Sequence, residues 1–368
     1  QGPETPEGDT RPPDIYHFVF DRFASAEVLS RHYGIETPVN GFLDARGFHV
    51  APDSRSNYLK TGHSLASTLY MDYLDLLAEE PRLDGADWRP IFAMLDDYRT
   101  ARFLRGRGYE ALQFGSWWTG THRSSIADAN APFGFDEFPM YYLRRTALRA
   151  VAHALPANRL AALLDWDNGQ CQRVARQVEA IKAIGAREQP VYVFAHFLVP
   201  HDPYVFAADG RCLGHDEAIA RGRRAGYAEQ VGYAGRIIED LVGALLAEGR
   251  PAPVIIIQAD EGPFPDRNYT VPWQEASLEE LDIKTGILNA VYLPGGDYGR
   301  LRPDITPVNL YRAVFDSVLG TSFGQLPDRV FVFPDDFNLY DFIDVTDRLN
   351  GAADPADAAG AAAGGRLR

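Results

Sequence analysis

Three short apolar runs in this 368-residue chain lead into groups that do chemistry. Residues 15–20 run into Asp21 and Arg22, residues 254–257 run on to Asp260 and Glu261, and residues 191–198 carry His196 and continue to His201-Asp202-Pro203. Carboxylates at the ends of separate apolar strands are costly unless something neutralises them. A divalent cation held by oxygen ligands from Asp21, Asp260 and Glu261 would do that. The competing reading is that each acid caps a turn or a helix. For one acid alone that reading is the better one; three carboxylates and two histidines at three strand ends favour a site.

A fourth piece is Asn57 to Leu69, with Thr61-Gly62-His63-Ser64 at its centre. A hydroxyl residue just before a helix sits where backbone N–H groups gather negative charge. Thr61 is there either as a nucleophile activated by a metal or as an N-cap. Ser64 is the nearer candidate cap, which leaves Thr61 less explained by structure. The Trp117-Trp118 pair fits a core as well as a substrate wall. Gly106 to Ala111 mimics a dinucleotide fingerprint but precedes a strand instead of opening a helix, so it is rejected. His122, His153 and His215 are isolated and read as surface or core histidines.

These groups need a sheet to hold them. Strands are expected at 15–20, 109–114, 191–198, 254–257 and 287–293, where apolar runs are short and bounded by turn residues or charge. Helical spacing marks 64–80 and 225–248, the latter closed by Gly249 with Pro251 and Pro253 beyond, and a further helix is expected at 309–319. Strands alternating with helices imply an α/β fold whose central, mostly parallel sheet has helices on both faces. Ligands in such folds bind beyond the carboxyl ends of the strands. Residues 1–12 read as a loose lead-in and 350–368 as a low-complexity tail, leaving 13–349 as one domain.

Composition narrows the function classes. Lys and Arg number 36 against 51 Asp and Glu, for a net charge of −15, so general nucleic-acid binding is excluded. No apolar run is long enough to span a membrane. No signal peptide opens the chain, and Gln1-Gly2-Pro3 reads as the remnant of a protease site, so this start says little about location. The two cysteines, Cys171 and Cys212, are either one bridge in an oxidising compartment or two buried thiols.

The order of these motifs carries a resemblance. A strand with a terminal Asp, a Thr-x-x-Ser helix start, a strand leading to His-x-x-x-x-His-x-Pro and an Ile-rich strand ending in Asp-x-Gly together resemble the sulfatase-like branch of the alkaline phosphatase superfamily. The likeness is nearest to lipoteichoic acid synthases and phosphoethanolamine transferases. Gly115-Ser116-Trp117-Trp118 and Phe133-Gly134-Phe135-Asp136-Glu137-Phe138 agree with it. The resemblance covers about residues 13–345. It implies an alkaline phosphatase-like sandwich and one divalent ion bound by Asp21, Thr61, Asp260 and Glu261. It also implies a Thr61 nucleophile that becomes phosphorylated. His201, or else His196, would protonate the leaving group, and both are expected to meet the substrate, as is Trp118. The substrate implied is a phosphate ester of an envelope lipid or glycan outside the cytoplasm, with a membrane anchor beyond this sequence compatible with it.

Two departures matter. Glu261 stands where the family usually has His. A carboxylate there makes the donors all-oxygen, which suits Mn²⁺, Mg²⁺ or Ca²⁺ better than Zn²⁺, or else weakens metal binding. Arg22 replaces the usual Gly and either grips a phosphate or pairs with Asp21. The motif that yields formylglycine in ordinary sulfatases is missing around Thr61. The expected function is therefore a metal-dependent phosphoesterase or phosphotransferase. The alternative is a degenerate relative that binds an envelope ligand or partner without turnover.

Overall fold

The computed structural model describes residues 11–80, 85–138, 141, 145–146 and 166–351. Nearly all of the expected lead-in and tail, and His153, lie outside these residues. Seven strands form the main sheet: β1 (Ile15–Phe20), β2 (His49–Val50), β3 (Glu110–Phe114), β4 (Ala129–Asn130), β5 (Val191–Phe197), β6 (Val254–Gln258) and β7 (Asn289–Tyr292). Their order is β2-β7-β6-β1-β5-β3-β4. The five strands from β6 to β4 are parallel, and β7 runs antiparallel to both β6 and β2. A separate two-stranded sheet pairs Phe331–Val332 with Ile343–Asp344.

β1, β5 and β6 are buried along their whole length, as continuous apolar runs must be when helices cover both faces. Six helices frame the site: α1 (Thr61–Tyr70), α2 (Arg89–Asp96), α3 (Gln170–Lys182), α4 (His215–Leu245), α5 (Leu278–Thr285) and α6 (Pro307–Val318). Leu65 and Leu69 of α1, Ile91 and Leu95 of α2, and Val314 of α6 pack with Ile15, Val19, Phe194 and Ile256 on one face. Val174 of α3 and Ile238 and Leu241 of α4 pack with Phe18, Val193 and Ile255 on the other. Alternate residues of each strand thus serve two separate cores.

The helix bounds differ from the expected ones for local reasons. α1 begins at Thr61 and stops at Tyr70, because Met71 takes a left-handed conformation (φ 59°) and its amide turns back to the carbonyls of Ser67 and Thr68. The rest of the expected helix is a separate turn, Asp75–Ala78. α4 begins ten residues earlier than the spacing suggests. Gly222 breaks it with φ 73° and ψ 168°, a conformation open essentially to glycine alone. α6 opens two residues early with Pro307 in its first turn, where the missing N–H costs nothing.

Cys171, on the first turn of α3, is bridged to Cys212 ahead of α4, with Cα atoms 5.9 Å apart. The bridge closes a loop with a sequence separation of 41. On chain-entropy grounds its removal should cost about 4 kcal/mol. The unfolded, unreduced protein should show no reactive thiol on titration, and the reduced form should unfold at a clearly lower denaturant concentration. Two reactive thiols before reduction would refute the bridge.

Candidate active site

β1 lies between β5 and β6, with Val19 level with His196 on one side and Gln258 on the other. Side chains two apart share a face, so continuing this register brings Asp21, His196 and Asp260 together on the α1 side of the sheet. One ligand atom from each of the three lies within 4.8 Å of the others, and all three residues are buried. Asp21 Oδ1, His196 Nε2 and Asp260 Oδ2 have no hydrogen-bond partner. Buried polar atoms are otherwise nearly always paired, so three orphans facing one point mark a place built for something else. Burial opposes the charge on Asp21, yet His201, His196 and Arg22 together hold its carboxyl below the usual range. Burial, and after it the negative Asp21 and Glu261, push the Asp260 carboxyl well above that range. A cation between the two carboxylates would remove that conflict.

His196 is aimed by its other nitrogen. Nδ1 is 2.7 Å from the Thr121 hydroxyl, which is itself 2.8 Å from the Ser116 hydroxyl. Nε2 is thereby left 3.4 Å from Asp21 Oδ2. Such a partner fixes the ring of a metal-binding histidine. The sequence reading placed His196 only with the substrate, although the period-2 pattern of β5 already sets it on the face of Asp21.

Thr61 is the first residue of α1 and not a cap. The cap position belongs to Lys60, whose side chain makes no capping bond. Ser64, expected as the cap, sits inside the helix and donates to the Asp260 backbone carbonyl at 2.6 Å, pinning α1 to the end of β6. The Thr61 side chain lies close enough to the Asp260 carboxyl to oppose the rise in its pKa. Gly62 follows because the rings of Trp88 and Trp118 close over the helix start. A Cβ there would meet Trp88 and Ile91 at 2.9 Å. The uncapped amides of α1 thus open onto a cavity of about 150 Å³ that Asp21, Arg22, Thr61, Trp118, His201 and Glu261 line.

Glu261 stands apart from the Asp21–His196–Asp260 group. Its Oε1 takes the ammonium of the fully buried Lys284 at 2.8 Å and the Arg22 guanidinium at 3.2 Å, while Oε2 has no hydrogen-bond partner. Lys284, on α5, also donates to the Gly262 carbonyl at 3.2 Å and lies 3.7 Å from the Phe264 ring centroid. Burial draws its pKa down to about 8 against the pull of Glu261. Lys284→Met would strand a buried carboxylate beside Arg22, and breaking a buried pair in this way costs about 3–5 kcal/mol. The denaturation midpoint should fall accordingly, and Lys284→Met/Glu261→Gln should recover most of the loss. A single variant as stable as the parent would show that the pair is dispensable.

Arg22 reaches further. With φ 65° it directs its guanidinium to Glu261 and to Asp202, and its amide to Asp260 Oδ1 at 3.2 Å. His201 faces the cavity with its Nδ1 on the Asp202 carbonyl, and burial together with Arg22 holds its pKa below the ordinary histidine value. Trp118 sets its ring edge-on to His196, centroids 6.3 Å apart, and packs against Phe92. Of the sequence-predicted residues, Asp21, Arg22, Thr61, Trp118, His201 and Glu261 line one cavity, while Asp260 and His196 are fully buried and join it through Asp21. Trp88, Lys60, Lys284 and Thr121 were missed. Only Lys284 carried a local signal: the capping box Ser277-x-x-Glu280 announces its helix.

Comparisons with known proteins agree on the fold. No family model matches the sequence, and no curated protein matches it. Among solved structures, the C-terminal periplasmic domain of EcEptC from Escherichia coli, in a complex with Zn, aligns over 92% of this chain and 94% of its own, at a TM-score of 0.54 and 12% identity. Ps i-CgsB, in complex with a neocarrahexaose, aligns over 88% and 80%, at 0.53 and 15%. The PsFucS1 sulfatase from Pseudoalteromonas sp. aligns over 90% and 76%, at 0.52 and 14%. The chain shares the fold of these structures, a mostly parallel central sheet with helices on both faces.

Proposed function

We propose that this protein is a metal-dependent phosphate-ester hydrolase or transferase that works through a covalent phospho-Thr61. The observation that carries the reading is the placement of Thr61. It stands near the Asp260 carboxyl, at the open amino end of α1, in one cavity lining with two cationic or proton-bearing groups, Arg22 and His201. Asp21, Asp260 and His196 would hold the divalent ion, with the Thr61 oxygen beside it. Glu261 is spoken for by Lys284 and Arg22. With a histidine nitrogen among the donors, Zn²⁺ and Mn²⁺ suit the set as well as Mg²⁺ does. When bound, the ion supplies charge to lower the pKa of the Thr61 hydroxyl and to offset charge on a phosphate oxygen.

The chain's own groups do the rest. Asp260 takes the Thr61 proton as the Thr61 oxygen forms its bond to phosphorus and the leaving oxygen departs in line. Arg22 and the α1 amides meet the charge on the transferred group. An anionic ester beside His201 favours its protonated form, so that it can give a proton to the leaving oxygen. Neutral again, His201 can take the proton of the water or acceptor hydroxyl that displaces Thr61 from phosphorus. Water makes a hydrolase and a hydroxyl acceptor a transferase. The missing formylglycine motif favours phosphate over sulfate esters.

The fold similarity supports an extracytoplasmic setting with a lipid or glycan ester as substrate, and the disulfide fits an oxidising compartment. No helix among the described residues is long and apolar enough to cross a membrane. A second reading has its own observation. Lys284 and Arg22 already neutralise part of the site, as in a relative that binds without turnover. Mass spectrometry decides between them. Incubation with Mn²⁺ or Zn²⁺ and phosphatidylglycerol or phosphatidylethanolamine should release diacylglycerol and leave phosphoglycerol or phosphoethanolamine, respectively, on Thr61, and an unmodified Thr61 under all these conditions would favour the binding protein.

A further inference from the structure

A second cavity, of about 310 Å³, opens on the far side of the wall that Arg22 and Phe264 make. Both residues line both cavities, with the Arg22 guanidinium 4.5 Å from the Phe264 ring centroid. Two features distinguish the second cavity: arginines and tyrosines. Arg223 and Arg224 stand at its rim because Gly222 breaks α4 immediately before them. Arg221 pairs with Glu217 and Glu229. Arg223 and Arg224 form no ion pair among the described residues, and Arg224 donates to the His32 carbonyl at 2.7 Å. Asp266 is the one acid in the wall. In a chain of net charge −15, three arginines around one cleft are a local reversal of sign.

The floor is aromatic. Tyr33 and Tyr204 lean on the buried Tyr227, with ring centroids 5.1 and 6.5 Å away. The Tyr227 hydroxyl donates to the Arg22 carbonyl at 2.9 Å, which ties this floor to the first cavity. Gly226 allows the close fit, since a Cβ there would meet Tyr204 at 2.7 Å. Half-exposed Tyr269 stands opposite, against Phe264. Tyrosine faces offer rigid apolar area for a ring, and paired guanidinium groups offer forked donors to a sulfate, phosphate or carboxylate. The volume is at the small end for a ligand cleft, enough for one ring with its substituents.

We propose that this cavity is a subsite for an anionic sugar unit next to the ester held at Thr61, which makes the substrate a glycan bearing more than one negative group. This rests on the reading of Thr61 as the reacting residue, but binding tests it independently. The probe is a monosulfated uronic acid–hexosamine disaccharide, titrated by calorimetry into the wild-type protein, Thr61→Ala and Arg223→Ala/Arg224→Ala. The wild type and Thr61→Ala should bind alike, and the double variant at least tenfold more weakly at an unchanged unfolding temperature. A neutral disaccharide, and glycerol phosphate with its anion but no ring, should each bind at least tenfold more weakly than the probe. Turnover of a small aryl phosphodiester should be the same in the double variant as in the wild type. Equal probe affinity in the double variant, or equal affinity for either control, overturns the subsite. Undiminished turnover in Thr61→Ala with this binding pattern intact overturns the Thr61 mechanism and leaves the subsite standing.

Discussion

Thr61→Ala should abolish turnover of a generic aryl phosphodiester, lowering kcat by about 10³–10⁶ as removal of a covalent nucleophile does. The fold should be almost untouched. Thr61 makes no capping bond, so what is lost is at most one polar contact with Asp260, about 0.5–1.5 kcal/mol. A rate effect of several orders of magnitude would therefore be chemical and not structural. Thr61→Ser keeps the oxygen and should retain measurable activity. A Thr61→Ala protein that turns over substrate at the wild-type rate would remove Thr61 from the chemistry.

The second large effect concerns the ion. The wild-type protein should take up one divalent ion, and Asp260→Ala should lower its affinity by more than about 100-fold, beyond the loss usual for an outer partner. Calorimetry and elemental analysis of the dialysed protein would measure it. His196→Ala should do the same, because its Nε2 is one of the orphaned atoms. Glu261→Gln should keep most of the uptake, since Lys284 and Arg22 already hold one oxygen of that carboxylate. Loss of the ion in Glu261→Gln would return Glu261 to the ligand set, and unchanged metal content in Asp260→Ala would sink the site as drawn. Uptake should weaken as pH falls, because protons compete for a carboxyl whose pKa is already pushed up by burial and by Asp21. At a hundredfold excess over its dissociation constant the ion should add about 2.7 kcal/mol of stability to the wild type and none to Asp260→Ala.

Asp21, Asp260 and the long β-branched strand were legible in the sequence because acids after apolar runs conflict with burial, and such a conflict shows without any knowledge of partners. The start of α1 was not legible. Ser64 is the better cap by local preference, but its hydroxyl is drawn to the Asp260 carbonyl, so tertiary contact overrode propensity. Met71 ends the same helix in a conformation that normally advertises itself with glycine, so the stop carried no signal. Lys284 lies far from Glu261 in the chain. A buried ammonium can be foreseen only once the sheet shows which carboxylate faces it. The same holds for Trp88, whose place shows only once Gly62 is seen to let it and Trp118 close over the helix entrance.

β1 is synthesised well before either of its two sheet neighbours. Its partners on one side begin at Tyr192 and on the other at Val254. Until residue 258 or so has emerged, Ile15–Phe20 has no complete slot to enter, and an apolar run must wait unpaired. Pairing over such distances is slow and leaves strand edges open meanwhile. Asp21 meets Asp260 only when β1 is seated, so a piece of this chain that ends before Asp260 lacks the proposed cation site. A metal signal followed during refolding would then time the closing step of the fold itself, appearing with the last strand to be captured and not with the first collapse.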